Sequence, residues 1–353
     1  MAVEEGNILE ENRKILSVAI PCYNSSGYMC RCIDSLLAAG DGIEILVIDD
    51  GSTKDNTLEI AQRYEAEHPG TVRAIHQENK GHGGAVNTGI REASGIYFKV
   101  VDSDDWVDSK GLERVVKRLA TLEERGTPVD LFLANFVYDK EGAWRKNVMQ
   151  FRHAFPQNRM ISWDDMGHMR QTQYILMHNI IYRHSVLERS QLQLPLHTFY
   201  VDNLFAFQPL PYCEKLYYMD VNLYHYMIGR EDQSVNEKVM LSRIDQQIRV
   251  NKLMIDAFTQ QNFSGLDKNV RKYMVNYLNK ILTVSSIMLL LGGTDEDLRM
   301  KGELWGYLKR KDYKLYYRLR MSFLGVAMNL PTKLGRKTTV RGYKILRHFV
   351  HFN

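Results

Sequence analysis

Carboxylates crowd residues 102–105. In VVDSDDW, residues 100–106, two valines run straight into Asp102, Asp104 and Asp105. Acids this close repel one another unless a cation lies among them. An Asp-x-Asp pair at a strand end suits a hard divalent ion, Mn2+ or Mg2+, with open positions left for the oxygens of a diphosphate. Such an ion would neutralise charge developing on a departing diphosphate. The same residues can instead form an Asx turn that caps a helix starting near residue 109. VIDDGSTKDNT, from residue 47, places Asp49 and Asp50 before a tight turn at Gly51. A carboxylate there can accept a hydrogen bond from a base N–H, or Ser52 or Thr53 can simply cap the next helix. In NKGHGGAVNTG, from residue 79, Gly81, Gly83 and Gly84 let a backbone approach a ligand closely. In FYVDNLFAF, residues 199–207, Asp202 sits among aromatic residues. An apolar setting would raise its pKa and make it a general base; otherwise it is a helix N-cap. In YHYMIGREDQSVN, residues 224–236, Arg230 suits bidentate phosphate binding with Ser234 nearby, or pairs with Glu231 or Asp232.

These segments need elements to hold them. ILSVAIP, IEILVID, TVRAIH and IYFKVVD are apolar, β-branched runs that read as four strands. Helical patterns follow each, over 26–39, from Thr53 to His68, over 83–94 and over 109–124. The alternation predicts a mostly parallel sheet with helices on both faces, an α/β fold. In such sheets ligands bind beyond the carboxyl ends of the strands, and PCYN, DDGS, QENKGHGG and DSDD all fall there. Later, 130–139 and 215–228 read as strands, and 163–177 and 202–209 as helices. From about 237 the chain reads as helical: 237–260, 267–291 and 295–310.

In this order, VAIPCYN, VIDDGSTKDNT, NKGHGGAVNTG, DSDDW and YVDNLFAF resemble the family 2 nucleotide-sugar glycosyltransferases of the bacterial cell-envelope type. The resemblance covers about residues 14–235 and implies the GT-A fold, a Rossmann-like sheet. It implies that Pro21, Tyr23, Asn24 and Asp50 hold the nucleotide, usually uridine, and that Asn79, Gly81 and Asn87 line the donor. It implies that Asp102 and Asp104 bind ribose and metal, with Asp104 the direct ligand and Ser103 in the same cofactor-binding set. Asp202 matches the base of inverting members, and Arg230 and Ser234 match a loop that closes over the diphosphate. Two departures bear on the donor. Val86 stands where many members carry Arg, and Met227 stands where many carry another, so Arg230 is the candidate replacement. His225 is not expected as a third ligand. The implied chemistry is a single inverting displacement from a UDP-sugar donor to a hydroxyl of a glycan, lipid-linked or cell-envelope polymer acceptor.

Composition bounds the alternatives. The 353 residues are 44% hydrophobic and 25% charged, as in ordinary globular proteins. This length allows a catalytic domain over 1–235, a helical domain over 236–330 and a basic amphipathic tail over 331–353. Residues 301–353 carry 13 Lys/Arg against 2 Asp/Glu, whereas the whole chain has a net charge of +4. The first 300 residues are therefore acidic, and the tail calls for an anionic partner. Over 337–350 Lys337, Arg341, Lys344 and His348 fall on one helical side. Tyr343, Leu346, Phe349 and Val350 fall on the other, a pattern suited to an anionic membrane surface or to docking on the protein itself. No aromatic-interleaved basic platform points to nucleic acid. Cys22, Cys30, Cys32 and Cys213 form no CxxC pair and read as reduced thiols. The N-terminal segment lacks an apolar core for a signal peptide, and the run ILTVSSIMLLL is eleven residues, short of a membrane span. A cytoplasmic protein, peripheral on the inner membrane face if the tail binds lipid, is expected. The helical region can bind acceptor or join subunits into a homo-oligomer. Two other functions compete: a nucleotidyltransferase, disfavoured because CYNSSG replaces its basic glycine-rich loop, and a catalytically inactive glycan-binding scaffold.

Overall fold

The computed structural model describes residues 14–140, 147–170, 173–229 and 236–350. Arg230 and Ser234 lie outside the described residues. The chain separates into two compact units, Met1–Met227 and Ile228–Asn353.

The first unit opens with β1 (Leu16–Cys22), α1 (Met29–Leu37), β2 (Ile43–Asp49), α2 (Thr57–Glu67), β3 (Val72–His76), α3 (Gly81–Glu92) and β4 (Tyr97–Val100). Every residue of β1, β2 and β4 is buried, which explains their unbroken apolar runs. Next come β5 (Trp106–Val107), α4 (Ser109–Glu124), β6 (Leu131–Lys140), β7 (Asn147–Met149), β8 (Met160–Ile161), β9 (Ile180–Arg183), α5 (His184–Ser190), α6 (Asp202–Phe207) and β10 (Leu216–Ile228). The sheet order is β3-β2-β1-β4-β9-β6-β10-β5, with β7 beside β6 and β8 beside β10. The first four strands are parallel, and β9 runs antiparallel to both β4 and β6. The sheet is therefore mixed: parallel where the candidate site lies and antiparallel beyond it. Pro21 falls past Ala19, the last residue of β1 in register with β4, so its missing N–H breaks no ladder there.

Two local expectations change, and one strand was not foreseen. Among the described residues of 163–177 there is no α-helix. The segment holds single 3₁₀ turns at Trp163–Asp165 and Met177–Asn179, and Ser162 and Asp165 cap the first reciprocally. Side chains that bond their own backbone compete with helix propagation. The short apolar run at Ile180 is strand β9, a length at which periodicity cannot separate strand from helix. Thr53 caps nothing: its N–H donates to Asn24 Oδ1 at 3.2 Å, and α2 starts four residues later, at Thr57.

The second unit is helical: α7 (Glu237–Ser242), α8 (Ile244–Gln260), α9 (Lys268–Gly292), α10 (Asp295–Lys311), α11 (Tyr313–Arg320), α12 (Phe323–Met328) and α13 (Lys333–Val350). Helix α9 is central and packs on α8, α10, α12 and α13. Its 25 residues are long and apolar enough to cross a membrane, but 67% of that apolar window is buried inside the protein, as in a core helix. Val340 and Tyr343 of α13 pack against Ile287, Met288, Leu290 and Met328. Thr339 Oγ1 donates to the Ala327 carbonyl at 2.7 Å. The Tyr343 side of α13, one of the two faces offered to an anionic surface in the sequence reading, is thus turned toward protein.

Candidate active site

Four loops leave the carboxyl ends of β1 to β4, and hydrogen bonds tie each to the next. Asn24, at φ +51°, lies in the left-handed region that asparagine tolerates. Its N–H donates to Ser52 Oγ at 2.9 Å, and its Oδ1 accepts from the N–H groups of Thr53 and Lys54. Asp50 is 3% exposed. Its Oδ1 accepts from Gln77 Nε2 and from Lys80 N–H, and its carbonyl accepts from Asn79 Nδ2 at 3.0 Å. The two Ser hydroxyls of Ser25 and Ser103 meet at 2.9 Å, joining the first loop to DSDD. Asn24, Asp50, Asn79 and Ser103 therefore belong to one bonded rim, while Pro21 lies within β1, in register with Ile48 of β2. Tyr23 projects from it, 51% exposed.

DSDD forms a turn in which Asp105 N–H donates to the Asp102 carbonyl at 3.0 Å. It does not cap α4; Asp108 does, accepting from Gly111 N–H. The cations near the acids include His82 and Lys99. His82 Nε2 lies 2.8 Å from Asp102 Oδ1. Burial opposes charge on both partners, yet the bond and the mutual attraction prevail: the His82 pKa is raised and the Asp102 pKa lowered. Lys99, on β4, is fully buried and donates from Nζ to the carbonyls of His178 (2.9 Å) and Ile180 (3.3 Å). Burial pushes its pKa down to about 7 against the pull of Asp102.

Asp105 has another role. It is 1% exposed, and accepts from Tyr224 OH and from Met227 N–H. Burial, followed by the charges of Asp104 and Asp102, pushes its pKa well above the usual carboxylate range. It behaves as a structural acid that fastens the turn to β10. Asp104, half-buried at the corner of the turn, is not part of the tightest group of ligand atoms among the described residues, which is Asp102, Asp105 and His178. Burial drives the His178 pKa down to about 4, so its ring is neutral, and its buried Nδ1 has no hydrogen-bond partner. Asp102, its pKa lowered, and the unpartnered Nδ1 of neutral His178 are an oxygen and a nitrogen donor that fit a divalent cation accepting both, such as Mn2+. His225 is engaged elsewhere, 3.0 Å from Asp139 and stacked on Trp106.

Asp202 opens α6. Burial raises its pKa to about 6, with His82 lowering it and Asp102 raising it. The preceding loop is held by α3. Asn87, expected along the donor, spends both amide atoms on the Leu194 backbone: Nδ2 donates to the carbonyl and Oδ1 accepts from N–H, each at 2.9 Å. His197 N–H donates to the Lys80 carbonyl at 2.9 Å. The glycines of α3 serve this approach. A Cβ on Gly81, which sits at φ +74°, would stand 3.0 Å from His197 Cα, and one on Gly83 would stand 2.7 Å from the Pro195 carbonyl. The close approach expected of these glycines is thus to the chain itself. Tyr200, two residues before Asp202, is held at φ +66°, a costly geometry for a bulky residue that the surrounding fold must enforce.

His82, Lys99 and His178 escaped the sequence reading. Only His82 left a trace, as the side chain set between glycines in NKGHGG. Replacing Asn87 with Ala should lower stability by about 1–3 kcal/mol, since it strands two buried backbone groups. Activity should fall mainly in kcat. A raised donor KM with an unchanged melting temperature would instead make Asn87 a donor contact.

Residues 17–189 match the family described as Glycosyl transferase family 2. A Bacillus subtilis glycosyltransferase named EpsH is 30% identical over 220 residues, 60% of this chain and 60% of its own length. The match thus spans less than two thirds of that relative. S. aureus TarS 1-349 has a similar fold, with a TM-score of 0.68 at 19% identity over 94% of this chain and 91% of its own. Its complex with UDP-GlcNAc gives 0.51 at 18% identity over 88% and 91%. The mannosyltransferase PcManGT from Pyrobaculum calidifontis, in complex with GDP-Man and Mn2+, gives 0.51 at 14% identity over 97% and 88%.

Proposed function

We propose, for a chain that belongs to glycosyl transferase family 2 through residues 17–189, that it transfers a sugar from a UDP-sugar to a hydroxyl with inversion. The carrying observation is that Asp202, raised to about 6 by burial, shares one electrostatic cluster with the Asp102–His82 pair at the carboxyl ends of the parallel strands. The acceptor is a hydroxyl of a glycan, lipid-linked or cell-envelope polymer. The complex of TarS with UDP-GlcNAc supports a UDP donor.

In this reading Tyr23 offers its exposed ring to the base, and Asp50 and Asn79 keep the surrounding loops in place. Gly81, Asn87 and Ser103 complete the donor wall by shaping backbone. Asp102 and Asp104, with His178 close to Asp102, would hold a divalent cation that offsets charge on the diphosphate. His82 keeps Asp102 ionised and oriented. Asp202, charged near neutral pH, accepts the acceptor's proton as its oxygen bonds to the anomeric carbon. The bond from that carbon to the diphosphate oxygen breaks with its electron pair, and UDP departs. One displacement means one inversion. Arg230 and Ser234 remain candidates for the diphosphate.

A panel of UDP- and GDP-sugars tests the donor by thermal stabilisation with and without Mn2+. One UDP-sugar at a hundredfold excess over its Kd should add about 2.7 kcal/mol of stability, with UDP released when an acceptor is present. A shift with GDP-sugars alone would overturn the UDP assignment. A shift without UDP release, across acceptor hydroxyls, would favour a binding protein.

A further inference from the structure

The carboxyl-terminal part of the helical unit exposes an unusual combination of side chains. From Tyr313 to the last residue the chain carries nine Lys/Arg and no Asp or Glu. Large apolar side chains stand out on the same stretch: Phe323 is 83% exposed, Leu334 75%, Met321 69% and Ile345 59%. Apolar exposure of this extent on four large side chains close in sequence marks an interaction surface rather than scattered surface residues.

The helix register explains how the two properties meet. Residues 334, 341 and 345 are separated by seven and four positions, so they share one face of α13. Lys337 and Lys344 run along one edge of it, and all five are exposed. The opposite face, with Thr339, Val340 and Tyr343, is taken up by packing inside the unit. Met321 and Phe323 bracket Ser322, whose hydroxyl caps α12 by accepting from Gly325 N–H. The cap fixes the start of α12, so Phe323 is presented on ordered backbone.

We infer that this face of α13 and the start of α12 dock the protein on an anionic lipid bilayer, with Phe323, Met321, Leu334 and Ile345 entering the interface and Arg341, Lys337 and Lys344 meeting headgroup phosphates. Anionic lipid supplies both needs at once, since each basic residue near such a surface is attracted to it and each buried apolar group adds its transfer energy. A soluble polyanion would satisfy the cations but leave the methionine, leucine and isoleucine in water. A second copy of the same face would set cations against cations with no carboxylate to offset them. The mode differs from an amphipathic helix lying with its apolar side in lipid, because that side of α13 is packed on α9 and α12. This inference is independent of the donor reading.

Flotation of the full chain with phosphatidylcholine vesicles, with and without phosphatidylglycerol, tests it. Binding should require phosphatidylglycerol and weaken with salt. The double variant Phe323→Ser/Leu334→Ser keeps every charge and should bind at least about tenfold more weakly. Arg341→Glu/Lys344→Glu should abolish flotation. All variants should keep the wild-type melting temperature and UDP-sugar stabilisation, which separates failure of docking from failure of the donor reading. No flotation with phosphatidylglycerol overturns the proposal. Flotation unchanged by Phe323→Ser/Leu334→Ser and fully competed by dextran sulfate overturns it too, leaving a polyanion site. Concentration-dependent dimerisation lost in those variants, without flotation, would make the face a subunit interface instead.

Discussion

Asp202→Asn is expected to abolish transfer while leaving UDP-sugar stabilisation intact. The amide keeps the shape and the place beside Asn203 Nδ2, which bonds Asp202 Oδ1 at 3.2 Å, but cannot accept a proton. Loss of a general base costs about 10²–10⁴ in rate. The same substitution should raise stability at neutral pH. The Asp202 carboxyl holds its proton to about pH 6 in the folded protein against an ordinary value of 3.8. Between those values the folded state binds more protons than the unfolded one, so stability falls as pH rises from about 4 to 6 and stays lower above it. A shift of about two units corresponds to about 3 kcal/mol, and the asparagine variant should recover part of it. Wild-type kcat/KM should rise through about pH 6 as the base ionises. An inactive variant that also melts at a lower temperature would show that Asp202 is structural, and an active one would remove it from the chemistry.

Gly83→Val should be the most damaging change remote from the reacting atoms. A Cβ at Gly83 would meet the Pro195 carbonyl at 2.7 Å and Leu194 Cβ at 3.1 Å, and neither neighbour is the end of a flexible side chain. The 194–201 segment must move, and Asp202 moves with it. Overpacking of this kind costs about 1–3 kcal/mol, and displacing a catalytic group by about 1 Å can cost about a hundredfold in rate. Gly302→Ala in α10 is the control: nothing lies within 4 Å of its Cβ, so a gain of about 0.5–1 kcal/mol and unchanged kcat are expected. Wild-type activity in Gly83→Val would show that the contact between α3 and this segment does not place Asp202.

The resemblance to family 2 rested on local signals, and those were strong. Apolar runs ending in Asp49 and Val100 mark buried strands because a strand covered on both faces has no polar alternation to confuse it. Asp102, Asp104 and Asp202 stand out because acids beside valines, or among aromatics, need a reason. The strand β9 did not stand out. Four residues are too few for periodicity, and its place between β4 and β6 is set by partners 84 and 47 residues away, Phe98 pairing with Tyr182 and Leu133 with Ile180 reversed in direction.

Residue types and their order along the chain thus determined the strand-end chemistry: which carboxylates lie at which strand end, and that the carboxyl-terminal stretch is cationic. Tertiary structure alone decided who meets them. It brought His82 onto Asp102 across twenty residues and buried Lys99 behind the turn. It also gave Asn87 to Leu194 and turned Tyr343 inward while leaving Phe323 outside. The physical reason is range. Propensity and periodicity act over a few residues, whereas hydrogen-bond partners, burial and the pKa shifts they cause depend on groups that only folding brings within a few ångströms.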